Sequence, residues 1–209
     1  ETDPSSLSDK FVYPIFKDRE GGIWIGTYFG GVNYLPPSGR MFERYTCSRY
    51  ANSVNGNIIG EITEDKHGNI WIASDDGGLN VLDAKTGLFK TFLPNASVHS
   101  ISYYNIHGLC WDDDQLWAGT YSAGLNRYDS RSGQFHHYNS EADKPNTLDG
   151  TSVYSVFKDS RSQIWVGTMM GINLYHRATD SFIRMKSLGV TTIAIKEDIN
   201  GLIWFATWG

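Results

Sequence analysis

Cysteine, excess positive charge and long apolar runs are all scarce in this chain. Its 209 residues include 2 Cys, Cys47 and Cys110, 63 positions apart. One pair is too few for a disulfide scaffold and lacks metal-ligand spacing, so both are expected as unpaired small side chains. Lys and Arg number 18 against 23 Asp and Glu, a net charge of −5. That balance argues against nucleic acid, which calls for a concentrated basic face. No apolar run reaches the roughly 18 residues of a membrane helix. G-x-S-x-G, H-E-x-x-H, the P-loop and Cys-x-x-Cys are missing too, which leaves no catalytic motif to follow. The chain opens on Glu1-Thr2-Asp3 with no initiator Met, charged stretch or apolar stretch of a leader. This is expected where a signal peptide has been removed or the stretch is internal to a longer protein.

What is present is aromatic and glycine-rich. The 7 Trp, 12 Tyr and 10 Phe supply enough surface to bury that disorder is excluded. With 22 Gly beside them, the composition suits many short strands joined by tight turns better than a helical bundle.

An internal repeat organises these residues. Trp24, Trp71, Trp117, Trp165 and Trp204 are spaced 47, 46, 48 and 39 apart, in GGIWIGTYFGGVNYL, GNIWIASDDGGLNVL, DQLWAGTYSAGLNRY, SQIWVGTMMGINLY and GLIWFATWG. An apolar segment ending in Asp precedes each Trp, and a turn and an aromatic segment follow it in the first four units: SGRMFERY, TGLFKTF, SGQFHHY and TDSFIRM. Each complete unit therefore predicts four short strands. Asp18, Asp65, Asp159 and Asp198 stand six residues before their Trp, where an Asp side chain can bond the backbone two residues on and open a hairpin. Unit three has lost a residue, so Asp112 stands five before Trp117. The second strands, such as Ile70-Trp71-Ile72, lack polar alternation, which means that both faces are covered. Gly26, Ala73, Gly119, Gly167 and Ala206, two residues after each Trp, leave room for a neighbouring unit.

Four-stranded antiparallel units of this length predict an all-β fold, a β-propeller with one blade per unit. The expected blades run about 11–46, 58–93, 105–139 and 152–186, with a partial fifth over 190–209, as one partial propeller domain spanning 1–209. Trp71, Trp117 and Trp165 are expected between blades. Open edges are expected at both ends, around Ile203-Trp204-Phe205 in the half blade and on a face of blade one centred on Trp24 and Ile25, with self-association as the consequence.

The pattern D-x-x-G-x-[I/L]-W-[I/V]-G-T-x-x-G-G-[L/V]-N-x-[Y/L]-D-x-x-[T/S]-G-x-F resembles the two-component regulator propeller repeat over nearly the whole chain. The lead-ins Ser5-Ser6-Leu7-Ser8, Asn52-Ser53-Val54-Asn55 and Asn146-Thr147-Leu148-Asp149 are similar to that family's Asn/Ser-Leu-Ser. Departures are modest: Ala73-Ser74 for Gly-Thr, Pro36-Pro37 for the Asp turn, and His176 for Asp. The resemblance implies propellers in the periplasmic half of membrane-spanning hybrid sensors that carry a histidine kinase, a receiver and a DNA-binding part elsewhere. Many such sensors recognise oligosaccharides. For this stretch it implies a ligand-sensing or assembly surface without catalysis, cofactor, nucleic-acid contact or membrane insertion.

Propeller topology places the turns between second and third strands, and the inter-blade linkers, on one rim. That rim offers Tyr28-Phe29, Asp75-Asp76, Tyr121-Ser122, Met169-Met170 and Trp208, with Tyr50, Tyr103 and Tyr104 in the linkers. Sugars are bound by ring stacking plus planar hydrogen-bonding groups. The candidate ligand contacts are therefore Tyr28, Asp75, Asp76, Tyr121 and Trp208, and the alternative is that these residues pack against another domain or dock a protein. Among the six His, only His99 and His107 are expected near the channel, so a propeller lyase is a third reading behind the other two. Asp112-Asp113-Asp114 is read as a turn of solvated acids rather than a cation site, and no metal ligands are expected.

Overall fold

The computed structural model describes residues 5–49, 52–185 and 189–208. The linker residue Tyr50 lies outside the described residues. Among those described there are only strands and turns. The first blade contains β1 (Val12–Lys17), β2 (Ile23–Thr27), β3 (Val32–Leu35) and β4 (Glu43–Tyr45). The second contains β5 (Ile59–Glu64), β6 (Ile70–Ser74), β7 (Gly78–Leu82) and β8 (Phe89–Phe92). The third contains β9 (Ile106–Asp112), β10 (Gln115–Thr120), β11 (Leu125–Asp129) and β12 (Gln134–Tyr138). The fourth contains β13 (Val153–Lys158), β14 (Ile164–Thr168), β15 (Gly171–His176) and β16 (Ser181–Met185). A two-stranded sheet of β17 (Thr191–Glu197) and β18 (Ile203–Trp208) comes last. Within each sheet the strands are hydrogen-bonded in sequence order.

The chain falls into two compact units, one of residues up to 94 plus 104–106, the other of 95–103 and from 107 onward. The first unit holds blades one and two. Its core joins Trp24, Tyr34 and Tyr45 of blade one to Ile59, Ile62, Ile70 and Ile72 of blade two. The second unit packs Trp117, Leu125 and Tyr138 of blade three against Val153, Val156, Ile164 and Val166 of blade four. Burying one such aliphatic side chain contributes roughly 1.5–3 kcal/mol, so the interface between blades one and two and that between blades three and four are main sources of stability.

Two local features produce this packing. A register shift recurs near the start of β1, β5, β13 and β17. The shift lets residues three apart, such as Ile59 and Ile62, share one buried face. The glycine two residues after Trp24 and Trp117 sits where a Cβ would strike the next blade: at Gly26, 2.6 Å from Ile59 Cγ2, and at Gly119, 2.6 Å from Val153 Cγ1.

Three expectations are corrected. Trp24 is buried, stacked on Tyr34 with centroids 4.3 Å apart and on Tyr45 at 5.9 Å. The open face of blade one is instead the β1 face, where Val12, Tyr13 and Ile15 are exposed. Trp165 is only half-buried, because it meets Phe205 of the half blade rather than a whole one. Asp112 is not a solvated turn acid: it is buried, with Lys158 Nζ 2.7 Å from Oδ1 and Arg177 Nη1 2.5 Å from Oδ2. Burial alone would raise its carboxyl, but the bonds from Arg177 and Lys158 outweigh that and hold it below the usual range. Cys47 and Cys110 are not joined by a disulfide.

Candidate functional site

The rim turns are built by a hydroxyl and a glycine. Thr27 Oγ1 accepts from Gly30 N at 3.0 Å and donates to Gly31 O at 2.9 Å. Thr120 repeats this with Ala123 N at 3.0 Å and Gly124 O at 2.8 Å. Gly31 and Gly124 have φ of +72° and +73°, and a Cβ there would lie 2.4 Å from Tyr45 O and 2.1 Å from Tyr138 O. The glycine is thus required, and the residues before it are displayed at the tip of the turn.

A buried Asn fixes the adjoining lead-in. Asn33, Asn80, Asn126 and Asn173 are all buried in third strands. Their Oδ1 atoms accept from Ser8 N (2.9 Å), Asn55 N (3.0 Å), Ser102 N (2.9 Å) and Asp149 N (2.8 Å). The apolar residue just before each of the last three, Val54, Ile101 and Leu148, is fully buried. Within each blade, lead-in and turn are therefore held together.

In the first unit, Tyr28 is partly exposed and meets Phe29 edge-to-face at 4.7 Å. With Lys10, Phe11, Val12 and Tyr13 the two rings line an open apolar cleft of about 490 Å³. Asp9 supports it, accepting from Phe29 N at 2.8 Å. Asp76 is engaged by the fold, since its Oδ1 accepts from Asn57 N (3.0 Å), Ile58 N (3.2 Å) and Ser74 Oγ (2.7 Å). Ser74 and Asp76 together thereby replace the Thr of the other turns. Burial, and secondly the Asp76 charge, push the Asp75 carboxyl up to about 6.

In the second unit, Tyr121 is half-exposed beside His107, with centroids 5.9 Å apart, and His107 meets Tyr154 at 5.2 Å. Burial lowers the His107 pKa, so the imidazole is neutral near pH 7. Trp208 is largely exposed at the end of β18, opposite Thr191. Met169 and Met170 are exposed at the next turn.

Tyr28, Asp75 and Asp76 thus occupy rim turns of the first unit, and Tyr121 and Trp208 lie in the second. Sequence reasoning missed Asp9, Phe11 and Tyr154, which lie on lead-ins and first strands; the alternation of exposed rings along Phe11 and Tyr13 was the available signal. No group of three or more His, Cys, Asp or Glu suited to a metal occurs among the described residues.

Four-stranded antiparallel blades, a recurring Trp, and Asn-fixed lead-ins define a β-propeller repeat protein, here a partial propeller of four blades and a half. The family model described as two component regulator propeller matches residues 6–29, 53–76 and 147–170. A Formosa agariphila protein named histidine kinase P4 is 31% identical over 86 residues, covering 41% of this chain and 6% of that one. A crystal structure described as the extracellular domain of a hybrid two-component system from B. thetaiotaomicron superposes with a TM-score of 0.66 at 24% identity, over 97% of this chain and 33% of that one. Virginiamycin B lyase from Staphylococcus aureus superposes with a TM-score of 0.68 at 15% identity, over 93% of this chain and 62% of that one. The two superpositions establish the fold. The chain spans a small part of the first two relatives.

Proposed function

We propose that this chain is the ligand-sensing stretch of the extracytoplasmic, periplasmic part of a membrane-spanning hybrid two-component sensor, and that it recognises an oligosaccharide. Signalling would pass to a histidine kinase in the remainder of the receptor. The reading is supported by the repeat family, by the kinase name of the Formosa relative and by the extracellular description of the B. thetaiotaomicron structure. The observation that carries it is the pair of partly exposed tyrosines, Tyr28 and Tyr121, at turns whose geometry needs only Thr and Gly. Each exposed ring is a stacking platform for a sugar face; Asp75 would add a hydrogen-bonding group in the first unit and Trp208 a ring in the second. Nothing in this reading requires catalysis by the stretch itself. Calorimetry with a panel of oligosaccharides tests it: saturable binding by at least one is expected, and heats at the level of dilution throughout would overturn it.

A second reading, a scaffold that docks protein, is favoured by the apolar character of the Tyr28–Phe29 cleft. It predicts no sugar binding. A lyase remains the third, favoured only by shared fold with virginiamycin B lyase, and turnover of a uronic-acid substrate would revive it.

A further inference from the structure

The interface between blades three and four is built around a cation. Arg127 follows the buried Asn126 in β11, and its guanidinium carbon lies 5.4 Å from the Trp117 ring centroid and 5.3 Å from that of Tyr138. Its Nη1 donates to Tyr175 Oη at 2.8 Å and to Asp180 Oδ1 at 3.1 Å. Two rings, a hydroxyl and a carboxylate thus surround one guanidinium, so that cation–π attraction and a charge-assisted bond act together.

The interface between blades one and two keeps aromatic walls and lacks that cation. Repeat register matches Trp24 to Trp117, Tyr45 to Tyr138 and Tyr34 to Arg127. The Tyr34 ring lies stacked on Trp24, and Asp180 is matched by Gly87, which has no side chain to fill the space. What remains is a cavity of about 290 Å³ walled by Trp24, Tyr34 and Tyr45. Asp18, Glu20, Glu64 and Asp83 line it as well, and His67 is the one lining residue among those described that could carry a positive charge. Glu64 is paired with Arg19 at 2.8 Å. Asp18 accepts from Gly22 N at 2.7 Å and Trp24 Nε1 at 2.8 Å, both neutral donors. The acids are felt at the wall: after burial, the charges of Asp18, Glu20 and Glu43 push the Tyr34 hydroxyl above its ordinary value. Both sides of the cavity belong to complete blades, and it opens among the turns at the opposite end of the strands from the rim. Ligand pockets run from roughly 300 to 1,000 Å³, so this one suits a small cation better than an oligosaccharide.

We propose that this cavity binds the guanidinium group of an organic cation, seated among the Trp24, Tyr34 and Tyr45 rings as Arg127 is seated against Trp117 and Tyr138, with Asp18 and Glu20 supplying the counter-charge. The site is separate from the rim and does not rest on the sugar reading.

Titration of the full chain with two probes at constant ionic strength, followed through the indole N–H resonances, tests it. Ethylguanidinium stands for a free cation and N-acetylarginine amide for the side chain of a peptide. The Trp24 indole, whose N–H meets Asp18, should shift saturably with at least one probe, and saturation by the second alone supports the site with a peptide as the source. The Trp117 indole, whose ring already carries Arg127, should stay unmoved. Ethylurea, neutral and of similar shape, should move neither. Glu20→Gln, at an exposed residue, should weaken binding about threefold, as for loss of one surface charge pair. Tyr34→Arg, which copies blade three, should abolish binding by supplying the cation from within. If Tyr34→Arg perturbs the strand spectrum, Glu20→Lys replaces it. No saturable shift at Trp24 with either probe, an equal response to ethylurea, or undiminished binding in both variants would overturn the proposal.

Discussion

The indole Nε1 of Trp71 donates to Asp65 Oδ2 across 3.1 Å, and this bond accounts for the six-residue spacing. Asp65 Oδ1 meanwhile accepts from His67 N at 2.8 Å and Asn69 N at 3.0 Å, closing the hairpin. One carboxylate thus joins a turn to the Trp in the next strand. The bond recurs at Asp18–Trp24 (2.8 Å), Asp159–Trp165 (2.9 Å) and Asp198–Trp204 (3.0 Å).

Asp65→Ala should cost about 2–3 kcal/mol, since it leaves a buried indole N–H and turn amides without their charged acceptor. Asp198→Ala, in the solvated half blade, should cost measurably less. Urea unfolding of the two variants checks the order, and equal losses would mean that burial of the Asp–Trp pair is irrelevant.

Blade three breaks the spacing and loses the bond. With Asp112 one residue closer, Trp117 Nε1 is buried without a hydrogen-bond partner among the described residues. The ring is held instead by Tyr175, edge-on at 4.7 Å, and by Arg127, 5.4 Å from its centroid. Trp117→Ala should cost about 3–5 kcal/mol, the range for a large buried aromatic, and Trp204→Ala under about 1 kcal/mol, as for a surface position. Thermal unfolding of both checks this.

Asn80 joins a third strand to a lead-in by two bonds to the Asn55 backbone, with Oδ1 accepting and Nδ2 donating, each at 3.0 Å. Asn80→Leu should cost about 2–3 kcal/mol by orphaning both backbone groups. Hydrogen exchange should show faster exchange of the Asn55 amide, and unchanged protection there would contradict the role.

Asp75 gives a pH signature. Its folded carboxyl, at about 6, lies above the ordinary 3.8, so the folded state holds the proton more tightly than the unfolded one. The stabilisation is fully present below about pH 4 and is lost as pH rises through 6. Asp75→Asn should therefore raise the melting temperature at pH 7 relative to the parent and lose that advantage near pH 4. A gain independent of pH would contradict the shift.

The blades were legible because each is a local unit, its turns, Trp and small residue lying close together along the chain. The double role of the Asp was half legible: its bond to the backbone two residues on is seen at His67 N, but its bond to Trp71 is a tertiary fact with no local signature. Trp24 was misplaced because repeat register alone does not say which face of a blade meets its successor. Deletion of one residue before Trp117 hid Ile101, whose equivalents Val54 and Leu148 were visible at a fixed spacing. At the rim, Tyr28 and Tyr121 stood out as rings in turns, whereas the Asn57 and Ile58 amides that occupy Asp76 come from a separate segment, 19 and 18 positions back.

Titration of an oligosaccharide that binds the intact chain, against Tyr28→Ala, Tyr121→Ala and a control at the opposite end of a blade, tests the rim assignment most directly. Leu88→Ala is the control, at an exposed residue in the turn between β7 and β8. At least one tyrosine variant should weaken binding about tenfold or more, near 1.4 kcal/mol, while Leu88→Ala leaves it unchanged. Undiminished affinity in both tyrosine variants, or a loss in Leu88→Ala equal to theirs, would contradict the placement of the ligand on the rim.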